Sequence, residues 1–245
     1  MKKTILLLFT LFLTVYGVSA QETLRVLCIG NSFTYVSDTH LKMKEIAESQ
    51  GHKMDVNAVY VGGYTFNRHL HDLKTLQAIE AGKYDCVFLQ DQSQMPAHYA
   101  QDPIRWRLAA VDAQELAERV RMFSPDARVW LEQTWSYAKD NFGGFGSWES
   151  FDHFQAKGAS LIAKLIHTSV SPIADAFALC RAERPDIHLY NDDQHHQSDY
   201  GAYLKSCVNY LLIYGEKFTP SASACGLNAE YCKYLRTIAE KVVLK

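Results

Sequence analysis

Residue types that together perform nucleophilic acyl transfer stand at two distant places in the sequence. Ser32 lies near the amino terminus, and a run of aspartates and histidines lies near the carboxyl terminus. A serine hydroxyl becomes a nucleophile when a histidine takes its proton and a carboxylate orients that histidine. The Asp-x-x-His spacing in the run can be read in two registers, Asp192 with His195 or Asp193 with His196.

Ser32 stands between a predicted strand and a predicted helix. Residues 24–29 are mostly apolar and stop at Gly30-Asn31-Ser32, which is typical of a buried central strand closed by a turn. Residues 38–41 have the pattern of a helix cap and first turn. Ligands of open α/β sheets bind at the carboxyl edge of the strands. We therefore expect the Ser32 hydroxyl at that edge, where its N–H can also face an anion.

Two other predicted strands end in turns that could contribute to the same site. Gly62-Gly63-Tyr64-Thr65 follows the second strand, and residues 90–94 (Gln-Asp-Gln-Ser-Gln) follow the third. The carboxyl ends of parallel strands share one edge of a sheet. These turns should therefore meet Ser32 at that edge.

Strand and helix patterns alternate along the chain. Strands are predicted at 24–29, 54–61, 84–89, 128–132 and 170–174. Helices are predicted at 38–50, 66–81, 103–123, 151–167, 176–183, 200–215 and 230–243. This order predicts a single-domain, three-layer α/β/α sandwich around a parallel sheet of about five strands.

The amino terminus has the pattern of a secretory signal peptide. Lys2 and Lys3 precede an apolar run at 5–15, and Val18-Ser19-Ala20 supplies small residues for cleavage. The run is short for a membrane span, and no cysteine follows Ala20 directly, so no lipid anchor is indicated. We expect residues 1–20 to be removed, the α/β domain to comprise 21–245, and the protein to be exported to the periplasm or the medium.

Charge and cysteine content bear on the possible partners and on disulfide bonds. The net charge is −2, from 25 basic and 27 acidic residues without a basic tract, which argues against a nucleic-acid partner. Cys28, Cys86, Cys180 and Cys207 fall within predicted strands or helices and are interpreted as small core residues. An oxidising compartment would permit a bridge between Cys225 and Cys232, but the sequence leaves their pairing open.

The order of these short blocks resembles the SGNH (GDSL-type) hydrolase superfamily over the whole mature chain. Gly30-Asn31-Ser32-Phe33 resembles its first block, which carries the serine nucleophile, and Gly63 resembles the second-block glycine, whose N–H donates to the oxyanion. The last block, Asp-x-x-His-x-Ser, is matched by residues 193–198. Gly201 extends that match, so the resemblance favours Asp193 with His196. It implies a flavodoxin-like α/β/α fold and ester hydrolysis.

Two blocks depart from the usual superfamily pattern. Asn31 replaces an aspartate that has no catalytic role, and the third block lacks Gly-x-Asn-Asp. A divergent form with Leu-Gln-x-x-Ser fits residues 89–93 instead. The resemblance then implies an oxyanion hole made by the N–H groups of Ser32 and Gly63 and by a glutamine amide, from Gln94 or its rival Gln92.

Two histidine pairs raise the alternative of a metal site. His69 with His71, or His195 with His196, could begin a zinc site. Residues two apart on a helix point in different directions, and no third ligand has a convincing spacing. We therefore predict neither a metal nor a cofactor.

A loop rich in aromatic residues follows the fourth predicted strand. Its rings at Trp135, Tyr137 and Trp148 could form a platform for sugar rings, and Asn31 is a further candidate substrate contact. The alternative is that these aromatic residues pack on the domain itself.

These predictions together favour a secreted serine esterase that removes acetyl or similar small acyl groups from carbohydrate. A lipase or thioesterase acting on longer acyl chains, a non-catalytic glycan-binding protein on the same fold, and a metal-assisted hydrolase remain alternatives. The expected partner is a small ester or an acylated carbohydrate, and the sequence does not predict the oligomeric state.

Overall fold

A five-stranded, entirely parallel sheet forms the centre of the computed structural model, which describes residues 22–140 and 142–244. Its spatial order is β2-β1-β3-β4-β5. The strands are β1 (Leu24–Gly30), β2 (Met54–Tyr60), β3 (Cys86–Leu89), β4 (Arg128–Glu132) and β5 (Ser169–Ser171). The predicted α/β class with a parallel sheet of about five strands is confirmed.

Ten α-helices pack against this sheet in the described part of the chain. They are α1 (Ser32–Tyr35), α2 (Thr39–Ser49), α3 (Phe66–Leu70), α4 (Leu73–Ala81), α5 (Met95–Gln101), α6 (Pro103–Phe123), α7 (Trp148–Leu165), α8 (Ile173–Glu183), α9 (Asp199–Tyr214) and α10 (Ala229–Val243). Single 3₁₀ turns lie at Val36–Asp38 and Phe142–Gly144.

Strand β1 shows why the sheet is covered on both faces. It pairs with β2 on one side and β3 on the other. Val26 and Cys28 face a core built with α2, α8, α9 and α10, whereas Leu27 and Ile29 face a core built with α3, α4, α6 and α7. Successive strand residues alternate between faces, so a continuous apolar run produces the three-layer sandwich.

The helix predicted at 66–81 is two helices. α3 ends at Leu70, and Asp72 caps α4 by accepting a hydrogen bond from Thr75 N at 2.9 Å. An aspartate that caps a new helix competes with continuation of the old one. The predicted helix was therefore wrong at its centre.

Three other element boundaries also differ from the sequence prediction. Helix α5 was not predicted, although Pro96 stands in its first turn. The last strand is short because α8 begins at Ile173, directly after Pro172. Helix α7 begins earlier than predicted because Ser147 caps it, accepting a hydrogen bond from Ser150 N.

A charged pair is buried between the sheet and α9. Lys205 Nζ lies 2.6 Å from Glu132 Oε2, and both side chains are almost completely buried. Asn209 Nδ2 donates to the second oxygen of Glu132 at 2.7 Å, and Ser171 Oγ donates to Asn209 at 2.9 Å. Buried charges need this kind of pairing, because an unpaired charge in a protein core costs several kcal/mol.

All six cysteines are free thiols. Cys225 and Cys232 form no bridge; their sulfurs donate instead to the carbonyls of Lys42 and Ala224. Burial raises the pKa of Cys86 to about 11 and that of Cys180 to about 12.

The predicted signal peptide at 1–20 lies outside the described residues. Within 22–140 and 142–244, no helix combines the length and the apolar character required to cross a membrane.

Candidate active site

The structure brings one serine, one histidine and one aspartate of the sequence prediction into direct contact. His196 Nε2 lies 2.7 Å from Ser32 Oγ, and His196 Nδ1 lies 2.6 Å from Asp193 Oδ2. Ser32 is the first residue of α1, directly after β1, and the other two precede α9. This is the geometry in which a histidine can take the serine proton while a carboxylate holds its ring.

The Asp193 carboxylate is fixed by its own loop. Oδ1 accepts hydrogen bonds from the backbone N–H groups of His195 (3.0 Å) and His196 (2.9 Å). Burial raises the pKa of Asp193, but these bonds and the bond to the His196 ring outweigh it and lower the pKa to about 2. The turn places Gln194 at a positive φ of 67°. Asp193 is therefore an anion at neutral pH.

The alternative register gives a different arrangement. His195 Nδ1 lies 3.0 Å from the backbone oxygen of Asp193, and its ring lies beside that of His196 with centroids 4.1 Å apart. Asp192 is exposed and lines a separate cavity. The contact to Ser32 is made by His196.

The turn before Ser32 requires a glycine. A Cβ at Gly30 would overlap Thr34 Oγ1 and would lie 2.7 Å from Gln90 Oε1. Gln90 Oε1 accepts hydrogen bonds from Asn31 N and from Thr34 Oγ1, both at 3.1 Å. Because Gly30 has no side chain, the loop after β3 can approach and hydrogen-bond the turn that carries the candidate nucleophile Ser32 (residues 30–36, the nucleophile turn).

The side chain of Asn31 connects three loops. Its Oδ1 accepts from Phe33 N at 3.1 Å, and its Nδ2 donates to Tyr64 O at 3.2 Å and to Asp91 O at 3.1 Å. Its side chain is buried, with every polar atom engaged. The amide of Asn31 positions the loops, and an aspartate could not donate these two bonds. Asn31 also lines the pocket of Ser32, so its role as a substrate contact stays a prediction.

Asp91, which sequence reasoning did not select, joins the second and third loops. Its Oδ1 accepts from Phe66 N (3.0 Å) and Gln92 N (2.8 Å), and its Oδ2 accepts from Tyr99 Oη (2.8 Å). Burial raises its pKa to about 6, against the lowering effect of these three bonds. An acidic residue directly after a strand is the only sequence signal for this role.

Gln197 and Lys205 hold the nucleophile turn from the opposite side. Gln197 Nε2 lies 3.2 Å from Phe33 O and 2.9 Å from Val36 O, and Lys205 Nζ donates to Phe33 O at 2.9 Å. Both side chains are buried. The segment that carries His196 is thereby fastened to the segment that carries Ser32. Sequence reasoning missed both residues, because neither has a recognisable local pattern.

The residues predicted to form an oxyanion hole line one pocket. A pocket of about 400 Å³ is lined by Ser32 together with Gly63, Gln92 and Gln94. The N–H groups of Ser32 and Gly63 donate no hydrogen bond to any described residue. Gly63 has a φ of 71°, a conformation that favours glycine.

The two glutamines differ in their surroundings. Gln92 Oε1 accepts from Gln94 N at 2.9 Å, which fixes the oxygen of that amide and leaves its Nε2 as a donor. The side-chain amide of Gln94 packs against Gly143, where a Cβ would overlap Nε2. Both line the pocket, and the contacts orient Gln92 more tightly.

The predicted aromatic platform is corrected for two of its three members. The Trp135 ring is completely buried and stacked on Phe177 at 4.1 Å, and its Nε1 donates to His195 O at 3.0 Å. Trp148 is half-buried at the start of α7, and its Nε1 lies 3.4 Å from Tyr190 Oη. Trp135 packs on Phe177 of α8 and Trp148 lies beside Tyr190, so both rings contact the domain itself, as in the alternative given above.

Tyr137 is the member of the predicted platform that reaches the pocket. It is largely buried, lines the pocket with Tyr35, and its Oη lies 2.7 Å from Ser93 Oγ. Burial raises the pKa of Tyr137 to about 12, so the phenol is neutral. It can form part of the pocket floor, and Tyr35 supplies a half-buried ring at the side.

The histidines considered for zinc have other partners. His69 is buried, with Nδ1 2.9 Å from Thr75 Oγ1 and Nε2 3.0 Å from Gly30 O, and His71 Nδ1 is 2.7 Å from Asn67 O. Within the described residues, ligand atoms of Asp193, His195 and His196 lie within 4.8 Å of one another. A metal held by these three would compete with the contact between Asp193 and His196.

The parallel α/β sandwich places Ser32, His196 and Asp193 in contact at the carboxyl edge of its sheet, an arrangement of the kind that serine hydrolases use. No family model matches the sequence, and no curated protein does either. Comparison with solved structures identifies the fold. A DUF4886 family protein from Bacteroides uniformis superimposes with a TM-score of 0.78 at 19% identity, over 91% of this chain and 95% of that one.

Two other matches carry functional names. A candidate SGNH hydrolase from Slackia heliotrinireducens has a TM-score of 0.62 at 24% identity, over 78% of this chain and 100% of that one. The acetylxylan esterase Axe2 from Geobacillus stearothermophilus has a TM-score of 0.57 at 13% identity, over 80% and 95%. The chain thus has the fold of the SGNH hydrolases.

Proposed function

We propose that the protein is a serine esterase that removes acetyl or similarly small acyl groups from carbohydrate. The observation that carries this proposal is the pair of contacts from His196 to Ser32 Oγ (2.7 Å) and to Asp193 Oδ2 (2.6 Å).

Acylation uses these residues in a fixed order. Ser32 Oγ attacks the ester carbonyl as His196 Nε2 takes its proton, and Asp193 stabilises the imidazolium. The N–H groups of Ser32 and Gly63, with a glutamine amide, donate to the oxyanion; each such donor is worth roughly 3–4 kcal/mol in comparable sites. Collapse of the intermediate breaks the ester C–O bond, and His196 protonates the departing alkoxide.

Deacylation repeats the sequence with water. Water loses a proton to His196 and attacks the acyl group on Ser32, and collapse of the second intermediate returns the proton to Ser32 Oγ. A carboxylic acid leaves. The products are one acid and one alcohol, and the enzyme is restored.

Small acyl groups and carbohydrate suit the pocket beside Ser32. At about 400 Å³ it is modest, and its wall combines polar groups, among them Gln92, Ser93, Gln94 and His195, with the aromatic rings of Phe33, Tyr35 and Tyr137. Sugar hydroxyls pair with such groups, whereas a long acyl chain prefers an apolar wall. A fold neighbour named as an acetylxylan esterase agrees with this choice.

The first test is the loss of hydrolysis in Ser32→Ala. We expect wild type to hydrolyse 4-nitrophenyl acetate, and Ser32→Ala and His196→Ala to lose nearly all of that activity. Ser221→Ala, at an exposed serine distant in sequence from the site, is the matched control. A fluorophosphonate should add its mass to wild type but not to Ser32→Ala. Hydrolysis absent from wild type, or unchanged in Ser32→Ala, would favour a glycan-binding protein.

Acyl-chain length separates the esterase from a lipase or thioesterase. We expect kcat/KM to fall from 4-nitrophenyl acetate through butyrate to octanoate. A clear preference for the octanoate would remove the carbohydrate deacetylase and support the acyl hydrolase of longer chains. Activity that a chelator abolishes would instead support metal-assisted hydrolysis.

The two glutamines should differ in kinetic effect. Because Gln92 Oε1 is fixed by Gln94 N, we expect Gln92→Ala to lower kcat on 4-nitrophenyl acetate by about 10²–10³-fold, the loss typical of one oxyanion donor. Gln94→Ala should lower it by much less. The reverse order would assign the donor to Gln94.

We also propose that the protein is exported after cleavage near Ala20, as the amino-terminal sequence suggests. Amino-terminal sequencing of protein recovered outside the cytoplasm should begin near Gln21. A product that retains Met1 would contradict this proposal.

A further inference from the structure

A larger cavity, of about 750 Å³, is lined by Ala138 and Gln194, the chain neighbours of Tyr137 and His195, which line the pocket of Ser32. The loop that carries Asp193 separates the two: its residues His195 and His196 line the smaller pocket, and its residue Gln194 lines the larger cavity. Ala138 N donates to Gln194 O at 2.8 Å and completes the wall. A ligand that crosses this loop could occupy both spaces at once.

Arg181, on helix α8, contributes a cation to the larger cavity. Its guanidinium carbon lies 5.3 Å from the centroid of the Trp148 ring. Among the described residues, no carboxylate lies within 4.0 Å of this guanidinium. The pKa of the exposed Glu149 is lowered chiefly by hydrogen bonds from the Glu149 backbone and from Ser147. The charge of Arg181 lowers it to a lesser extent.

A neighbouring arginine shows the contrast. Arg184 binds Asp186 through two hydrogen bonds, of 2.7 Å and 2.6 Å. Its donors are already committed to a carboxylate. The donors of Arg181 face no such partner, although the ring of Trp148 holds the guanidinium in place.

The rest of the cavity wall matches a sugar ring. The side chains of Asn191 and Gln194 offer amide groups, and the buried side chains of Ile187 and Leu189 form apolar wall. Asp192 also lines the cavity and would repel a ligand with several clustered charges. One cation, amides and an apolar surface together suit a sugar that carries a single carboxylate.

We propose that this cavity binds a uronate unit of the glycan whose ester is cleaved at Ser32, with Arg181 holding the sugar carboxylate; this inference rests on the proposed function. A guanidinium pairs with a planar carboxylate through two parallel hydrogen bonds. The enzyme therefore prefers acylated acidic glycans to neutral ones.

Binding is tested without hydrolysis. In the Ser32→Ala background, calorimetry compares an acidic trimer, xylobiose that carries one glucuronate, with neutral xylotriose. We expect the acidic trimer to bind more tightly, and Arg181→Ala to weaken it by about tenfold, which corresponds to about 1.4 kcal/mol. Arg184→Ala, the matched control, should not weaken it. Equal binding of both trimers, or equal losses in both arginine variants, would overturn the proposal.

Kinetics separates the two proposals. In the otherwise wild-type enzyme, Arg181→Ala should raise KM for acetylated xylo-oligosaccharides that carry one glucuronate by about tenfold and leave kcat/KM for 4-nitrophenyl acetate unchanged. Hydrolysis of the aryl ester by wild type, with no effect of Arg181→Ala on the acidic substrate, would overturn the uronate site alone. Loss of the proposed function would appear as no hydrolysis of either ester, while Arg181-dependent binding in calorimetry would still support the uronate site.

Discussion

At the scale of single residues, Asp193 has two tasks. One carboxylate oxygen orients the His196 ring at 2.6 Å, and the other accepts the N–H groups of the same loop. The loop is therefore shaped by the same residue that orients the His196 ring. A substitution that keeps the shape can separate these tasks.

Asp193→Asn is such a substitution. Its amide oxygen can still accept from the loop, but its NH₂ group would face His196 Nδ1 and favour the wrong tautomer. We expect kcat on 4-nitrophenyl acetate to fall on the order of 10³–10⁴-fold, with the unfolding midpoint little changed. The exposed Asp126→Asn is the control, and a loss below tenfold would contradict the role of Asp193.

The pKa of Asp193 also predicts a pH dependence. Because it is lowered to about 2, the contribution of the carboxylate to stability is present above its unfolded pKa and is lost only as pH falls through about 2. Asp193 therefore does not titrate above about pH 4, and the acid limb of the activity profile belongs to another group.

At the scale of elements, the nucleophile turn is held between β4 and α9. Glu132, at the end of β4, pairs with Lys205 of α9, and Lys205 also donates to Phe33 O. This arrangement makes one buried cation serve both the core and the nucleophile turn. Its removal leaves a buried carboxylate without its charge partner.

Lys205→Met should therefore destabilise the protein by about 3–5 kcal/mol. The double variant Lys205→Met/Glu132→Gln removes the stranded charge and keeps an oxygen for Asn209, so it should recover part of the loss. Urea denaturation of the wild type, Lys205→Met, Glu132→Gln and the double variant measures the coupling. Equal destabilisation in the single Lys205 variant and the double variant would contradict this account.

The elements also show how far sequence reasoning extends. Strand β4 was predicted at its observed bounds, because its apolar residues follow a clear turn at Ser124-Pro125. Ser32, Asp193 and His196 were selected because their positions match sequence blocks of the SGNH hydrolase superfamily. The burial of Trp135 could not be predicted, since it depends on Phe177, far along the chain. The same holds for Gln197, whose partners belong to α1 and the turn after it.

At the scale of the whole molecule, the site depends on loops from separate strands being held together. Asp91 accepts from the start of α3 and from its own loop, and its backbone oxygen accepts from Asn31. These bonds join the carboxyl ends of three strands. The free energy of unfolding should consequently depend on the charge of the buried Asp91 carboxyl group.

Asp91→Asn tests that response. The pKa of Asp91 is raised from 3.8 to about 6, chiefly by burial, so its favourable contribution is present below about pH 4 and is lost as pH rises through about 6. Asparagine keeps an oxygen for Phe66 N and Gln92 N and can donate to Tyr99. Its stability relative to wild type should rise by up to about 3 kcal/mol between pH 4 and pH 7, measured by urea denaturation. A difference that stays constant across this range would contradict the prediction.

The six free thiols allow transient unfolding of the molecule to be measured by chemical labelling. Burial raises the pKa of Cys86, Cys180 and Cys232 to between about 11 and about 12, so little of the reactive thiolate exists near neutral pH. Iodoacetamide should accordingly alkylate the native chain slowly and the opened chain quickly. The rate of mass gain would then follow transient unfolding directly, with no dye or engineered label.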